Sequence, residues 1–392
     1  MVWPSVTINQ LNTYNGATKL IERTLLFVGK AHTNHGKILA ITAQSNLDTL
    51  LGTEDSALKS NIYAFFKNAG QNAFCYAAPL SEEESFLALE GESRTKPKKS
   101  AIPTWINAVR NAQNVASVEG IVVVDAVTSP DVIQAAQELR TEINNTLGRW
   151  LWFALSVPGI AKETETWAQL IERLTTLQKG LVAPQVMLVP EFFGNDIGVL
   201  AGRLCNKAVT VADSPARVAT GSLQGLKSTE KPQDSAGIPL ELATLQALAR
   251  VRYSVPMWYA DYDGMYWADA VTLEAEGGDY DVIENVRVAD KAARRIRTMA
   301  IQKIADRTLN STPSSIASHE MLFGKPLREM AKSSQINGIT FPGEIRPPKD
   351  GDVTITWPLR NKVNIAFIVR PYNCPKEISV GIMLDSELET SA

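Results

Sequence analysis

The chain has 392 residues, 45% of them hydrophobic and 21% charged. That is the usage of a folded globular protein with two or three domains, and it excludes extended disorder or a fibrous repeat over most of the length. Lys+Arg 39 against Asp+Glu 42 leaves a net charge of −3, so no overall positive field exists to gather phosphate backbones or anionic lipid, and nucleic acid is not expected as a partner.

Three cysteines, Cys75, Cys205 and Cys374, stand far apart among apolar or small neighbours. They read as buried thiols of a reducing compartment, not as a disulfide frame or a metal knuckle. The first residues, Met1 to Val6, lack a basic stretch followed by an apolar one, and no segment reaches the roughly 18 apolar residues of a membrane span, so no membrane insertion is expected.

In chain order, Val6 to Gln10 alternates apolar and polar residues and precedes a turn-rich stretch, which makes residues 1–18 an arm outside the core. Thr24 to Gly29 is a core strand, Leu47 to Ala69 has helical apolar spacing, and Asn72 to Ala77 is a buried strand, giving β-α-β. Residues 91–103, with Lys96, Lys98 and Lys99, read as an exposed loop before a helix at Thr104 to Ala112.

A run of continuous apolar strands separated by amphipathic helices follows. Its strands are Ile121 to Asp125, Leu151 to Leu155 and Val186 to Val189; its helices are Asp131 to Leu147, Glu165 to Gln178 and Ile197 to Cys205. Such a pattern predicts an α/β domain over residues 19–235, built on a doubly wound, mostly parallel sheet covered on both faces. The Gly-, Ser- and Pro-rich stretch Thr220 to Pro239 marks its exit.

An α+β domain is expected over residues 236–375. Its elements are a helix at Leu240 to Arg250, a strand at Tyr253 to Tyr259, a turn at Asp261 to Gly264, a long helix from Val282 to Leu309 and a shorter one from Ser314 to Ala331. Three alternating strands close the chain, Val353 to Trp357, Val363 to Val369 and Ile378 to Leu384, and residues 376–392 form a C-terminal arm.

Few of these residues carry chemistry. No G-x-G-x-x-G follows a strand, no P-loop is present, and the glycines of Gly221 to Leu226 are wrongly spaced. Asp125 at a strand end could serve a nucleotide- or metal-binding enzyme, the principal alternative reading, but such residues more often help cap the next helix, here through Ser129-Pro130-Asp131. His32 and His35 lack a completing ligand, and with His319 as the one other histidine no nucleophile system has a base. The aromatic cluster Trp258 to Trp267 reads as a packed β-hairpin in preference to a carbohydrate platform. No cofactor is expected.

Two basic sets remain. On the long helix Arg287, Lys291, Arg294 and Arg295 share one face. Lys325, Arg328 and Lys332 lie on the next helical stretch. Either set needs water or an acidic partner.

Three features in this order carry a resemblance: the hairpin segment Tyr262-Asp263-Gly264-Met265-Tyr266-Trp267, the run Tyr280 to Asp290 leading into a basic helix, and the terminal alternating strands. Together they resemble the C-terminal half of phage contractile-tail sheath proteins, in the divergent Mu-like branch. The resemblance is specific over Val251 to Leu384 and weak across the α/β portion.

It implies a non-enzymatic subunit of a virion tail, assembled in the bacterial host cytoplasm. Copies would stack as rings into a helical sheath, with the tail tube, baseplate and tail terminator as partners. The arms would add strands to neighbouring subunits through Val6 and Ile8 at one end and Val380, Ile382 and Leu384 at the other. A helix of the C-terminal domain would face the tube, with Arg287, Lys291, Arg294, Lys325, Arg328 and Lys332 as candidates.

Overall fold

The structure is a computed structural model that describes residues 21–81 and 103–383. Val6, Ile8 and Leu384, and most of the expected loop at 91–103, lie outside the described residues.

A six-stranded sheet is built from β1 (Leu25–Lys30), β2 (Leu39–Thr42), β3 (Phe74–Leu80), β4 (Gly120–Val123), β5 (Trp152–Val157) and β6 (Val186–Pro190), in the order β2-β3-β1-β4-β5-β6. Five strands run parallel and β2 is antiparallel to β3 at one edge. The buried strands β4, β5 and β6 have every residue out of solvent, as a parallel sheet covered on both faces requires. Four-residue β2 escapes periodicity analysis because it is short and has a single buried residue, Ile41.

Side chains leave the strands alternately toward two apolar clusters. Leu26, Val28, Ile121 and Val123 pack with α3 (Thr104–Val115), α4 (Pro130–Leu147) and α5 (Trp167–Gln178). Leu25, Phe27, Val122 and Val124 pack on the other face with α2 (Ala57–Ala69) and α6 (Asp196–Leu204). The expected single helix at Leu47 to Ala69 is two. A short α1 (Leu47–Leu51) stops at Gly52, whose φ is 103°, and the Ser56 side chain caps α2 by accepting from the Lys59 amide at 3.2 Å.

Two glycines bring α2 and α6 together. A Cβ on Gly198 would stand 2.2 Å from the Asn61 carbonyl oxygen and one on Gly202 2.5 Å from that of Phe65. The Gly198 amide donates to Asn61 Oδ1 at 2.8 Å, satisfying a free donor of the first turn.

Both clusters run through the expected boundary at residue 235. Leu245 and Leu248 of α7 (Leu242–Arg250), with Tyr253 and Val255, join the first. Trp267, at the end of the hairpin β7 (Pro256–Tyr259) and β8 (Tyr262–Trp267), joins the second, with Ile283 and Val286 from the start of α8 (Ile283–Ile301).

A third cluster begins at Val288. It gathers Ala292 and Ile296 of α8, Phe323 of α9 (Pro313–Phe323), and Leu327 and Met330 of α10 (Lys325–Met330). After the small hairpin of β9 (Ser334–Ile336) and β10 (Ile339–Phe341), it also takes Val353 and Ile355 of β11 (Val353–Leu359). A last strand, β12 (Lys362–Phe367), pairs antiparallel with β11.

Three expectations fail here. The long helix ends at Ile301, not Leu309, because Ile301 and Ile304 are 48% and 75% exposed and have no apolar surface to pack on. The helix at Ser314 to Ala331 breaks at Gly324 into α9 and α10. Residues 378–383 adopt no strand in the isolated subunit despite their alternation, since no neighbouring ladder meets their backbone.

Candidate functional site

The basic face of α8 is the first candidate, and the structure places it inside the subunit. Arg287 is 1% exposed and forks onto Glu119, Nε to Oε1 at 2.6 Å and Nη2 to Oε2 at 3.1 Å, while Nη1 donates to the Leu204 carbonyl at 2.9 Å. Lys291 pairs with Glu344 at 2.6 Å, and Arg294 with Glu22 at 3.1 Å. Glu22 precedes β1 and Glu119 precedes β4, so the stripe bolts α8 against the amino ends of the sheet strands.

Charge and burial explain the pairings. Desolvation alone would raise the Glu119 carboxyl, but Arg287 overrides it and holds the group down at about 2. Arg287, Lys291 and Arg294 are therefore corrected as candidates for a tube contact. Each holds an internal carboxylate, and Arg287 has no surface to offer. Helical spacing showed that the three share a face; it could not show that Glu22, Glu119 and Glu344, distant in sequence, meet that face.

The second basic set is different. Lys325, Arg328 and Lys332 are all exposed at α10 and just beyond it. Lys325 and Lys332 make no ion pair among the described residues, and Arg328 donates to the Met321 carbonyl at 2.6 Å. Pro326, Leu327 and Met330 bury the opposite face, so the cations point outward from a fixed helix.

The third candidate is the chain's C-terminal approach. The ribbon β11–β12 is two-stranded, which leaves its outer edges without ladder partners among the described residues. After β12 an isolated bridge joins Ile345 to Pro371. Beyond it, Ile378, Val380, Ile382 and Met383 are 75%, 79%, 89% and 98% exposed. Four large apolar side chains in six residues, in full contact with water, form a surface without a partner in the isolated subunit. Cys374, expected to be buried, is exposed; Cys75 and Cys205 are buried as expected.

The remaining sequence candidates resolve into structural roles. Asp125 Oδ1 accepts the Lys30 amide at 3.2 Å, tying together the ends of β1 and β4, and burial raises its carboxyl above the usual range. Ser129 caps α4, with Pro130 in its first turn. A cleft of about 660 Å³ opens where strand order reverses, lined by Lys30, Asp125, Ser156 and Glu191.

Among the described residues no group of His, Cys, Asp and Glu has the geometry to hold a metal ion. His32 lies 3.7 Å from Glu54, and His35 Nε2 lies 2.8 Å from the Ala31 carbonyl. The aromatic cluster is a hairpin whose turn is Ala260-Asp261, with Tyr259, Tyr262 and Tyr266 rings 5.7 to 6.2 Å apart.

Comparison with known proteins bears on these surfaces. The chain matches the family models described as DUF2586, N-terminal domain, over residues 3–271 and DUF2586, C-terminal domain, over residues 279–387. A protein of Haemophilus phage HP1 (strain HP1c1), named "Putative tail sheath protein", is 48% identical over 388 residues, 98% of each chain.

Among solved structures, the sheath of an extracellular contractile injection system (PVC) in its contracted state matches with a TM-score of 0.60 at 13% identity, over 98% of both chains. The sheath tail protein of Desulfitobacterium hafniense matches at 0.51 and 9%, over 94% of this chain and 96% of that one. The sheath tail protein of Listeria innocua matches at 0.53 and 8%, over 90% and 93%. At these identities the likeness to the solved structures is one of fold.

Proposed function

We propose a mechanism from the premise that this chain belongs to the phage tail sheath proteins, in the family described as DUF2586. It is a structural component of a virion tail and not an enzyme, so the alternative of a nucleotide- or metal-binding enzyme at Asp125 is set aside. In the proposed mechanism, copies polymerise as stacked rings into a helical sheath around an inner tail tube. Contraction of that sheath drives the tube through a cell envelope.

One observation carries the polymerisation step: the unpartnered apolar alternation of Ile378, Val380 and Ile382 beside a two-stranded ribbon with open edges. Open strand edges are a liability in a monomer and a linkage in a polymer. The C-terminal arm, residues 376–392, gives Val380, Ile382 and Leu384 to a neighbour's β11–β12 ribbon, and the N-terminal arm, residues 1–18, contributes Val6 and Ile8 in the same way. Between them, the sheet domain expected over 19–235 and the α+β domain expected over 236–375, which share two apolar clusters, move together as one rigid subunit.

The tube-facing surface is α10, through Lys325, Arg328 and Lys332. Exposed cations make contacts that salt screens and that release readily, whereas a large apolar contact would hold the tube during contraction. The extended lattice is metastable, contraction forms new lateral contacts with the arms as hinges, and no nucleotide is consumed. The baseplate and the tail terminator bound the sheath at its two ends, and assembly takes place in the host cytoplasm.

Negative-stain electron microscopy of the purified full chain at high concentration, beside a version lacking residues 1–10 and 376–392, tests the mechanism. Tubes from the full chain and monomers from the truncated one support it. Monodisperse monomers from both reject arm-linked polymerisation.

A further inference from the structure

The C-terminal arm does not leave the subunit where its last strand ends. Between the Ile345–Pro371 bridge and the exposed residues from Ile378 onward, one side chain reaches back into the body. Lys376 Nζ lies 2.7 and 2.6 Å from the two carboxylate oxygens of Asp269 and 2.9 Å from Glu284 Oε1. Asp269 sits just beyond β8 and Glu284 in the first turn of α8, so the C-terminal arm meets two segments that lie far before it in sequence at one ammonium group.

Glu284 makes this contact consequential. It is 6% exposed, and burial, with Asp269 adding to it, pushes its carboxyl above the usual range while Lys376 pulls it down. Burial would likewise lower Lys376, but Glu284 and Asp269 hold it above its ordinary value. Pulling the arm away at Tyr372 or Asn373 would strip the cation from a buried carboxylate, which is among the costlier losses a fold can suffer. Releasing the chain beyond Lys376 strips nothing among the described residues, because the side chains from Glu377 to Met383 already face water.

We propose that Lys376, seated between Asp269 and Glu284, is the anchored pivot of the C-terminal arm. This inference rests on the arm-linked sheath reading and adds the origin of the moving segment. Residues 372–376 stay with their own subunit in every state of the polymer, and the part that swings begins at Glu377. The pivot also fixes the direction in which the arm departs, since Asp269 and Glu284 belong to the rigid body.

The test uses the full chain with Lys376→Ala, Lys376→Arg and Glu284→Gln. Chymotryptic cleavage after Tyr372 in dilute, unassembled protein reads the anchor, and the concentration at which tubes first appear in electron micrographs reads the consequence. Lys376→Ala and Glu284→Gln are expected to raise the cleavage rate and the threshold concentration about tenfold, and Lys376→Arg to restore both. Glu284→Gln leaves Lys376 its two contacts to Asp269, and an unchanged circular dichroism spectrum in each variant separates a loosened arm from an unfolded subunit.

Wild-type rates and thresholds in both neutral variants, with wild-type tubes forming normally, overturn the pivot and leave the sheath reading intact. If the wild type makes no tubes, the sheath reading fails. The cleavage rates then decide the anchor by themselves: faster cleavage in both neutral variants supports it, and unchanged cleavage rejects it.

Discussion

Arg287 and Glu119 are 168 residues apart in sequence and form a forked ion pair with both side chains almost wholly out of solvent. Arg287 belongs to α8 and Glu119 to the residue before β4, so this one pair joins the helix that founds the third apolar cluster to the centre of the sheet. The Arg23 amide donates to the same carboxylate, adding the approach to β1.

Removing one partner is expected to cost more than removing the pair. Glu119→Gln leaves a buried guanidinium without its charge partner and should lower unfolding stability by about 3–5 kcal/mol. Urea denaturation of the dilute subunit measures it. A loss under about 1 kcal/mol would show that water or another carboxylate replaces the pair.

The same pair predicts an acid limit. A free glutamate titrates near 4.3, roughly, whereas the folded Glu119 carboxyl is held at about 2. A depressed acid stabilises the fold above the unfolded value and loses that contribution as pH falls through the folded one. Stability should therefore decline between about pH 4 and pH 2 by around 3 kcal/mol from this group. Repeating the titration on Glu119→Gln should flatten the decline; an unchanged slope assigns it to other carboxylates.

Gly198 is the residue through which α2 and α6 touch. Gly198→Leu would force a side chain into the Asn61 backbone, where even a Cβ comes within 2.2 Å, and should destabilise by about 1–3 kcal/mol as overpacked cores do. Thermal unfolding reads this directly. A wild-type midpoint would mean that the two helices separate freely.

Lys325→Glu with Lys332→Glu should leave the fold unchanged, since both side chains are exposed and make no ion pair among the described residues. Assembly on purified tail tubes should weaken markedly at low ionic strength and approach the wild-type level in high salt, where the contact is already screened. Sedimentation of sheath with tubes at two salt concentrations supplies the comparison. Equal co-sedimentation at low salt would remove α10 as the tube face.

Thiol chemistry should separate the cysteines. Cys374 is exposed and its thiol is raised by partial desolvation, whereas full burial pushes the Cys205 thiol up to about 12 and Cys75 well above its usual value. A thiol reagent should therefore modify one cysteine per native chain and three after denaturation. Peptide mapping identifies the residue, and modification of Cys75 or Cys205 in the native chain would contradict the burial.

What a single segment can encode was readable without coordinates. The apolar runs at Ile121, Leu151 and Val186 announced buried parallel strands, the amphipathic pattern of Asp131 to Leu147 a helix whose core face runs from Ile133 to Ile143 while Leu147 stays exposed, and the aromatic run to Trp267 a hairpin, because periodicity and local turn chemistry are properties of consecutive residues. The open alternation of Ile378 to Ile382 was legible for the same reason. Partners drawn from distant segments were not. Arg287, Lys291 and Arg294 read as a solvent-facing or tube-facing stripe until folding brought Glu119, Glu344 and Glu22 to them. Likewise, Lys376 became an anchor only when Asp269 and Glu284 met it. A charge states that it needs a counterpart, and only the packing of elements distant in sequence says which one it receives.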